Sequence, residues 1–225
     1  MAQPIIKILY EDNHLLVVEK PVNVPSQKDE SNDADILTIL KDDIKVRYNK
    51  SGNVYLGLVH RLDRPVGGAM VFAKTSKAAS RLSEQIRNHQ FKKVYLAVLN
   101  GKPDTSSGRL NDYLLKNEKT NTVKVVNKST PGAKEAILDY EVLKSADGLS
   151  LVRIRLHTGR SHQIRVQFSN VGYPLYGDQK YGADINKAGQ QIALWSYEIS
   201  LVHPTLKQEM PFKCNPPYKK PWSIF

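Results

Sequence analysis

VHRLDRPVGGAMVFA, residues 59–73, is the stretch on which the reading of this chain turns. An apolar lead-in ends at His60 and Arg61. One carboxylate, Asp63, stands between Arg61 and Arg64, and Pro65, Val66, Gly67 and Gly68 then carry the chain into a second apolar run. Both flanks have the composition of buried strands, so the charged centre lies at a strand end that dips toward the core. The proline and two glycines predict a tight turn in which backbone can approach a ligand closely. The plain alternative for Asp63 is a surface ion pair, worth about 0–1 kcal/mol. Flanking guanidinium groups also keep a partly desolvated carboxylate ionised, the state required of a nucleophile or base.

Outward from this turn the pattern is rich in strands. IIKILY (5–10) and LLVVEK (15–20) flank EDNH as a hairpin, and KPVNVPSQ follows as a loop. DADILTILKDDIKVRY places Ile36, Leu37, Ile39, Leu40 and Ile44 at mostly helical spacing, with Asp33 or Asp35 as N-cap. VYLGLVHRL and AMVFAK read as strands on either side of the turn. TSKAASRLSEQIRNHQ reads as a helix capped by Thr75 or Ser76, with Ala78, Leu82, Gln85 and Ile86 on one face. KKVYLAVLNG reads as a strand, RLNDYLLK and NTVKVV as shorter ones, and AILDYEVLKS with LSLVRIRLH as a hairpin closed by ADG. GRSHQIRVQFSNVG reads as a short helix with Ser161 as its N-cap, and IALWSYEISLVHP as a late strand. The expected class is α+β, a mixed, mainly antiparallel sheet flanked by helices. With no repeat or long linker, residues 1–225 read as a single domain.

Lys and Arg number 33 against 22 Asp and Glu, a formal charge of +11. That excess favours an anionic partner, nucleic acid first. Cys214 is the only cysteine, which excludes an internal disulfide and fits a reducing cytoplasm. The amino-terminal apolar run is broken by charge too early for a signal peptide or membrane span. A monomer is the default.

Two further segments carry candidate chemistry. In LHTGRSHQIRVQF (156–168) a strand gives way to the short helix, on which Arg165 follows Ser161 by four residues and His162 by three, making them neighbours. Arg160 lies near the helix start, where phosphate is favoured. A structural histidine and a solvated basic face are the bland readings of His162 and of the two arginines. His157 and His162 lack an acidic or thiol ligand at metal-binding spacing. In KKVYLAVLNG, Tyr95 and Ala97 share a face by the two-residue period, so Tyr95 either fills the core or stacks on a base.

Taken in order, HRLD with its glycine-containing turn, KKVYLAVLNG and TGRSHQIRVQFSNVGYPLYGDQKYG resemble the RluA-type pseudouridine synthases. Weaker matches run from LYEDNHLLVVEKP through GAKEAILDYEVL to ALWSYEISLVHP, so the resemblance covers nearly the whole chain. It implies the pseudouridine synthase catalytic fold and isomerisation of uridine to pseudouridine in RNA, ribosomal RNA first and transfer RNA second, with neither cofactor nor metal. It implies Asp63 as the essential carboxylate, Tyr95 as the active-site tyrosine and Arg165 as the arginine that pairs with the aspartate. Arg61 matches the arginine linked to holding the flipped-out nucleotide, and Arg61, Arg64, Arg160 and His162 are the RNA-binding candidates. Val66-Gly67-Gly68 departs from the family's Thr-Ser-Gly, and Gln167 stands where the family often has histidine. No amino-terminal S4 domain is expected, because the chain starts almost directly at the catalytic core.

Two other readings compete. A non-catalytic RNA-binding or ribosome-assembly protein on the same fold would have no need to keep Asp63, Tyr95 and Arg165. A nucleosidase or glycosidase usually needs two carboxylates, and the motif offers one.

Overall fold

The computed structural model describes residues 4–31 and 33–225. They fall into two compact units, a division the sequence pattern did not mark: the described residues up to 92 with 196–215, and residues 93–195 with 216–225.

The first unit opens with β1 (Lys7–Glu11) and β2 (Leu15–Lys20), an antiparallel hairpin. Its turn is set by Asp12, whose Oδ1 accepts the backbone N–H of His14 and of Leu15, each at 2.7 Å. Helix α1 (Ile36–Arg47) starts where Asp35 accepts the Thr38 N–H, so of the two candidate caps the nearer one serves. β3 (Gly57–Leu58) and β4 (Gly67–Ala73) follow, both antiparallel, with β2 and β3 paired to the same β4 residues, Phe72 and Ala73. Every residue of β4 is buried, as its unbroken apolar run requires. Helix α2 (Ser76–Arg87), capped by Thr75, packs on β3 and β4 and buries Ala78, Leu82 and Gln85, the last hydrogen-bonded to the Val202 backbone.

The second unit holds β5 (Lys92–Asn100), β6 (Ser107–Asn117), β7 (Thr122–Val126), β8 (Lys134–Ala146) and β9 (Leu149–Leu156). They pair antiparallel in the order β5-β9-β8-β6-β7. Asp147 and Gly148, at φ 52° and 71°, close the β8–β9 hairpin as a two-residue turn whose twist matches the strands. Helix α3 (Gln163–Asn170) packs on β6 and β7, burying Val166 with Leu114, Val123 and Ala136. β10 (Leu194–Val202) then leads back into the first unit, where β11 (Glu209–Lys213) pairs with it. Among the described residues no helix is long and apolar enough to cross a membrane. The architecture is α+β, as expected.

Three local expectations are corrected. Of VYLGLVHRL only Gly57–Leu58 is strand, because side chains take over the ladder beyond it. His60 Nε2 accepts the Val71 N–H at 3.1 Å, and Ser26 Oγ both accepts the Leu62 N–H and donates to the Leu62 carbonyl. α3 begins at Gln163 rather than at Ser161: His162 sits in the left-handed region at φ 52°, which no helix can continue through. β6 spans 11 residues and is not a short strand, and β11 was not foreseen.

Candidate active site

The HRLD segment lies in the first unit, on the loop between β3 and β4. His60 and Ser26 hold its backbone as described, and the His60 ring packs on Phe91 at 5.3 Å. Directly after Asp63 the chain turns, with the Val66 N–H donating to the Asp63 carbonyl at 2.9 Å. Gly68 completes the turn at φ 115°, and a Cβ there would stand 2.3 Å from the Ser196 carbonyl oxygen. Only glycine serves at that position. At Val66 and Gly67, where the family has Thr-Ser, side-chain hydroxyls are absent, yet the turn closes on backbone groups and on Gly68.

Beneath this loop lies a residue that sequence reasoning missed. Lys20, the last residue of β2, is fully buried, and its ammonium donates to the carbonyls of Pro21 (2.9 Å), Val24 (2.6 Å) and Arg64 (3.1 Å). It ties the loop after β2 to the residue following Asp63. Burial drives this ammonium down to about 7; the negative charge of Asp63 opposes that and the charge of Arg64 adds to it. The sequence signal was a lysine two residues after Val18, on the strand face that also carries Leu16.

Arg61 is exposed and, among the described residues, has no acidic partner. Arg64, also exposed, forms an ion pair with Asp33 and approaches Asp29 at 3.9 Å. Its charge is already matched within the protein, which weakens its claim as a phosphate contact relative to Arg61.

The second unit holds Tyr95, Arg160, His162 and Arg165. Tyr95 is a buried residue of β5 opposite Ile154 of β9. Arg165, on the first turn of α3, is only 6% exposed. Its Nε and Nη2 donate to the two carboxylate oxygens of Asp178, each at 2.8 Å, a fork-to-fork geometry that fixes the plane of the guanidinium. Burial alone would raise the Asp178 carboxyl, but Arg165 and the N–H groups of Lys180 and Tyr181 hold it below its usual value. The Arg165 guanidinium also lies over the Tyr181 ring at 5.1 Å. The Tyr181 hydroxyl accepts the Val123 N–H and shares a 2.6 Å hydrogen bond with His162 Nδ1. Asp178, Arg165, Tyr181 and His162 thus form one network. Because Ser161 and His162 precede α3, the helical neighbourhood expected for them with Arg165 does not exist; His162 reaches the network through Tyr181. Asp178 and Tyr181 lie in an irregular loop where no periodicity marks them.

The loop between β9 and α3 is built by Gln163, whose Oε1 accepts from the Arg160 N–H and the Thr158 hydroxyl while its Nε2 donates to the Ile137 carbonyl. His157 bonds Asp139 at 2.6 Å, so the two histidines of this loop have different partners. Gln167, fully buried, donates to Asp112 and to the Ala136 carbonyl, anchoring α3 to β6 and β8.

Comparison with known proteins gives the same answer as the motifs. Residues 14–170 match the RNA pseudouridylate synthase family. An uncharacterized RNA pseudouridine synthase of Bacillus subtilis, YhcT, is 34% identical over 217 residues, covering 93% of this chain and 70% of the relative. Ribosomal large subunit pseudouridine synthase D of Zymomonas mobilis is 31% identical, covering 94% of this chain and 69% of that protein. The structure of human RNA pseudouridylate synthase domain containing 4 superimposes with a TM-score of 0.78 at 26% identity, over 94% of this chain and 88% of the other. The chain belongs to the RNA pseudouridylate synthase family, in its RluA-type branch, and is an enzyme that isomerises uridine in RNA.

Proposed function

We propose that the substrate is a uridine in structured ribosomal RNA, with transfer RNA the alternative, and that Asp63 is the catalytic carboxylate. The observation that carries the assignment is the scaffolding of the Asp63 loop. His60, Ser26 and the buried Lys20 fix the backbone on both sides of Asp63, while Asp63 itself is only partly buried. A carboxylate so held, with a cation buried beneath it, suits a group that must be ionised and positioned at once.

The reaction breaks the N1–C1′ glycosidic bond and joins C5 of the same uracil to C1′; C5 loses its proton and N1 gains one, so nothing is added or removed overall. Asp63 serves as nucleophile toward the nucleoside or as base toward the ribose, and both roles need the charged form. Tyr95 stacks on the uracil or helps take the C5 proton. Arg165, whose guanidinium plane is fixed by Asp178, is the arginine that the family resemblance assigns to the chemistry. The uracil must leave its stack to be reached, at a cost of a few kcal/mol, which a single-stranded loop lowers. The large-subunit name of the Zymomonas relative supports ribosomal RNA. The working form is a cytoplasmic monomer.

The test is to map pseudouridine across cellular RNA with and without the gene. Loss of a ribosomal site, restored by the wild-type gene and not by Asp63→Asn, is the expected result. A lost site confined to transfer RNA would move the substrate, and restoration by Asp63→Asn would remove Asp63 from the chemistry.

A further inference from the structure

Three other partly or fully buried cations have a counter-charge or a set of carbonyls. Lys20 has three carbonyls and Asp63, Arg165 has Asp178, and Lys74 has Glu11 at 2.7 Å. Lys93 differs. It is half-buried, and among the described residues no acidic group or carbonyl lies within hydrogen-bond distance of its ammonium.

Its position is set by β5. Lys93 precedes Tyr95 by two residues, so the two side chains leave the same face of the strand, about 7 Å apart along it. It pairs with Leu156, the last residue of β9, which brings its side chain against the loop that leads into α3. There the ammonium packs on Gly159, so closely that a Cβ on that glycine would stand 2.9 Å from Nζ. The backbone of Gly159 is not in the left-handed region, so the missing side chain makes room for the lysine. The next residue, Arg160, is exposed and braced by its Nε on the Glu135 carbonyl at 2.8 Å. Burial first, and then the like charge of Arg160, lower the Lys93 ammonium below its ordinary value. Lys93 and Arg160 thus lie near each other on this loop, with no acidic partner for either among the described residues, and Lys93 stands two residues along β5 from the tyrosine assigned to the uracil.

We propose that Lys93 and Arg160 form a phosphate subsite that grips the RNA backbone beside the flipped uridine, which makes Lys93 a substrate-positioning residue. The inference rests on the RNA reading above and extends it to a residue not yet given a role. Lysine is a compact three-donor charge suited to a phosphate oxygen. At about 7 Å from Tyr95 along the strand it meets the backbone next to the base that Tyr95 faces, not that base itself. Fixing that phosphate holds the nucleotide out of its stack.

The experiment compares wild type, Lys93→Met, Lys93→Arg and Gly159→Ala. Turnover is measured on ribosomal RNA from a strain lacking the gene, and binding on a stem-loop RNA with an all-uridine loop. Lys93→Met should raise KM about tenfold or more with kcat within about twofold, since a charged hydrogen bond is lost. Its slope of log affinity against log salt should be shallower by about 0.7, one phosphate contact to single-stranded RNA. Lys93→Arg should recover most of both. Gly159→Ala, which displaces the ammonium and spares the backbone, should raise KM with an unchanged thermal midpoint. A single methylphosphonate walked through the loop should weaken wild type at one linkage where Lys93→Met loses nothing further. Unchanged KM and slope, a fall in kcat alone, or equal methylphosphonate penalties in both proteins would each overturn the subsite. Should Lys93→Met fail to fold, Gly159→Ala and the methylphosphonate walk on wild type decide: no rise in KM and no sensitive linkage overturn it. An inactive wild type would overturn the RNA reading instead, and the binding arms would still report on Lys93.

Discussion

Asp63 and Arg165 are both charged, yet their surroundings set different requirements. Asp63 sits partly exposed on a loop whose fixed points are other residues, so its charge can be removed without dismantling its support. Asp63→Asn should leave the thermal midpoint and RNA affinity near wild type and reduce pseudouridine formation by several powers of ten. Product above about one per cent of the wild-type rate would remove Asp63 from the chemistry. Arg165 instead is buried with Asp178, itself 1% exposed. Asp178→Ala leaves a buried guanidinium short of its fork partner, so denaturant unfolding should show a loss of about 3–5 kcal/mol. A loss below about 1 kcal/mol would mean that Arg165 is held by other groups. The sequence motifs single out Asp63, Tyr95 and Arg165 as candidates. Asp178 falls inside the quoted motif stretch but is given no role by it, because the contact joins a helix to an irregular loop 13 residues on, and side-chain forks leave no spacing rule.

At the scale of elements, the turn between Asp63 and β4 depends on Gly68. Gly68→Ala sets a methyl group against the Ser196 carbonyl in a conformation L-residues avoid, and should cost about 3 kcal/mol or more by denaturant unfolding. A cost below about 1 kcal/mol would show that the turn relaxes freely. Lys20 gives the same loop a pH signature. The folded protein releases that proton near pH 7, whereas the unfolded chain keeps it until about 10.5. Between those values the unfolded state binds more protons, so stability rises with pH. Unfolding of wild type and Lys20→Met across this window should therefore show the difference moving in favour of wild type as pH rises; a constant difference would mean the amine does not titrate there. α1 and α2 were legible because caps and apolar faces are local. The start of α3 was not, since His162 adopts a left-handed backbone and the side chain of Gln163 organises the turn before it. β11 escaped because EMPFK is short, charged and interrupted by Pro211, and is a strand only through its pairing with β10.

For the whole molecule, the net charge of +11 makes RNA binding salt-dependent, and the placement of arginines says which ones contribute. Arg61→Gln should flatten the slope of log affinity against log salt by about 0.7, and Arg64→Gln by clearly less, because Asp33 and Asp29 already face Arg64. Equal effects would mean that RNA strips Arg64 from its partners. The class of fold was readable from the succession of hairpins and helices, but the partition into two units was not, since it joins segments far apart along the chain. β10 and β11 complete a unit whose other residues come from the first 92 positions. A growing chain on the ribosome therefore cannot finish that unit when its first segment emerges. The backbone around Gly68 and Ala69, against which Ser196 closes, waits while residues 93–195 of the second unit are synthesised. During that interval the Asp63 loop has the supports supplied by Lys20, Ser26 and His60 but lacks the wall that Ser196 sets against Gly68, so the turn after Asp63 gains its last contact only once β10 has been made.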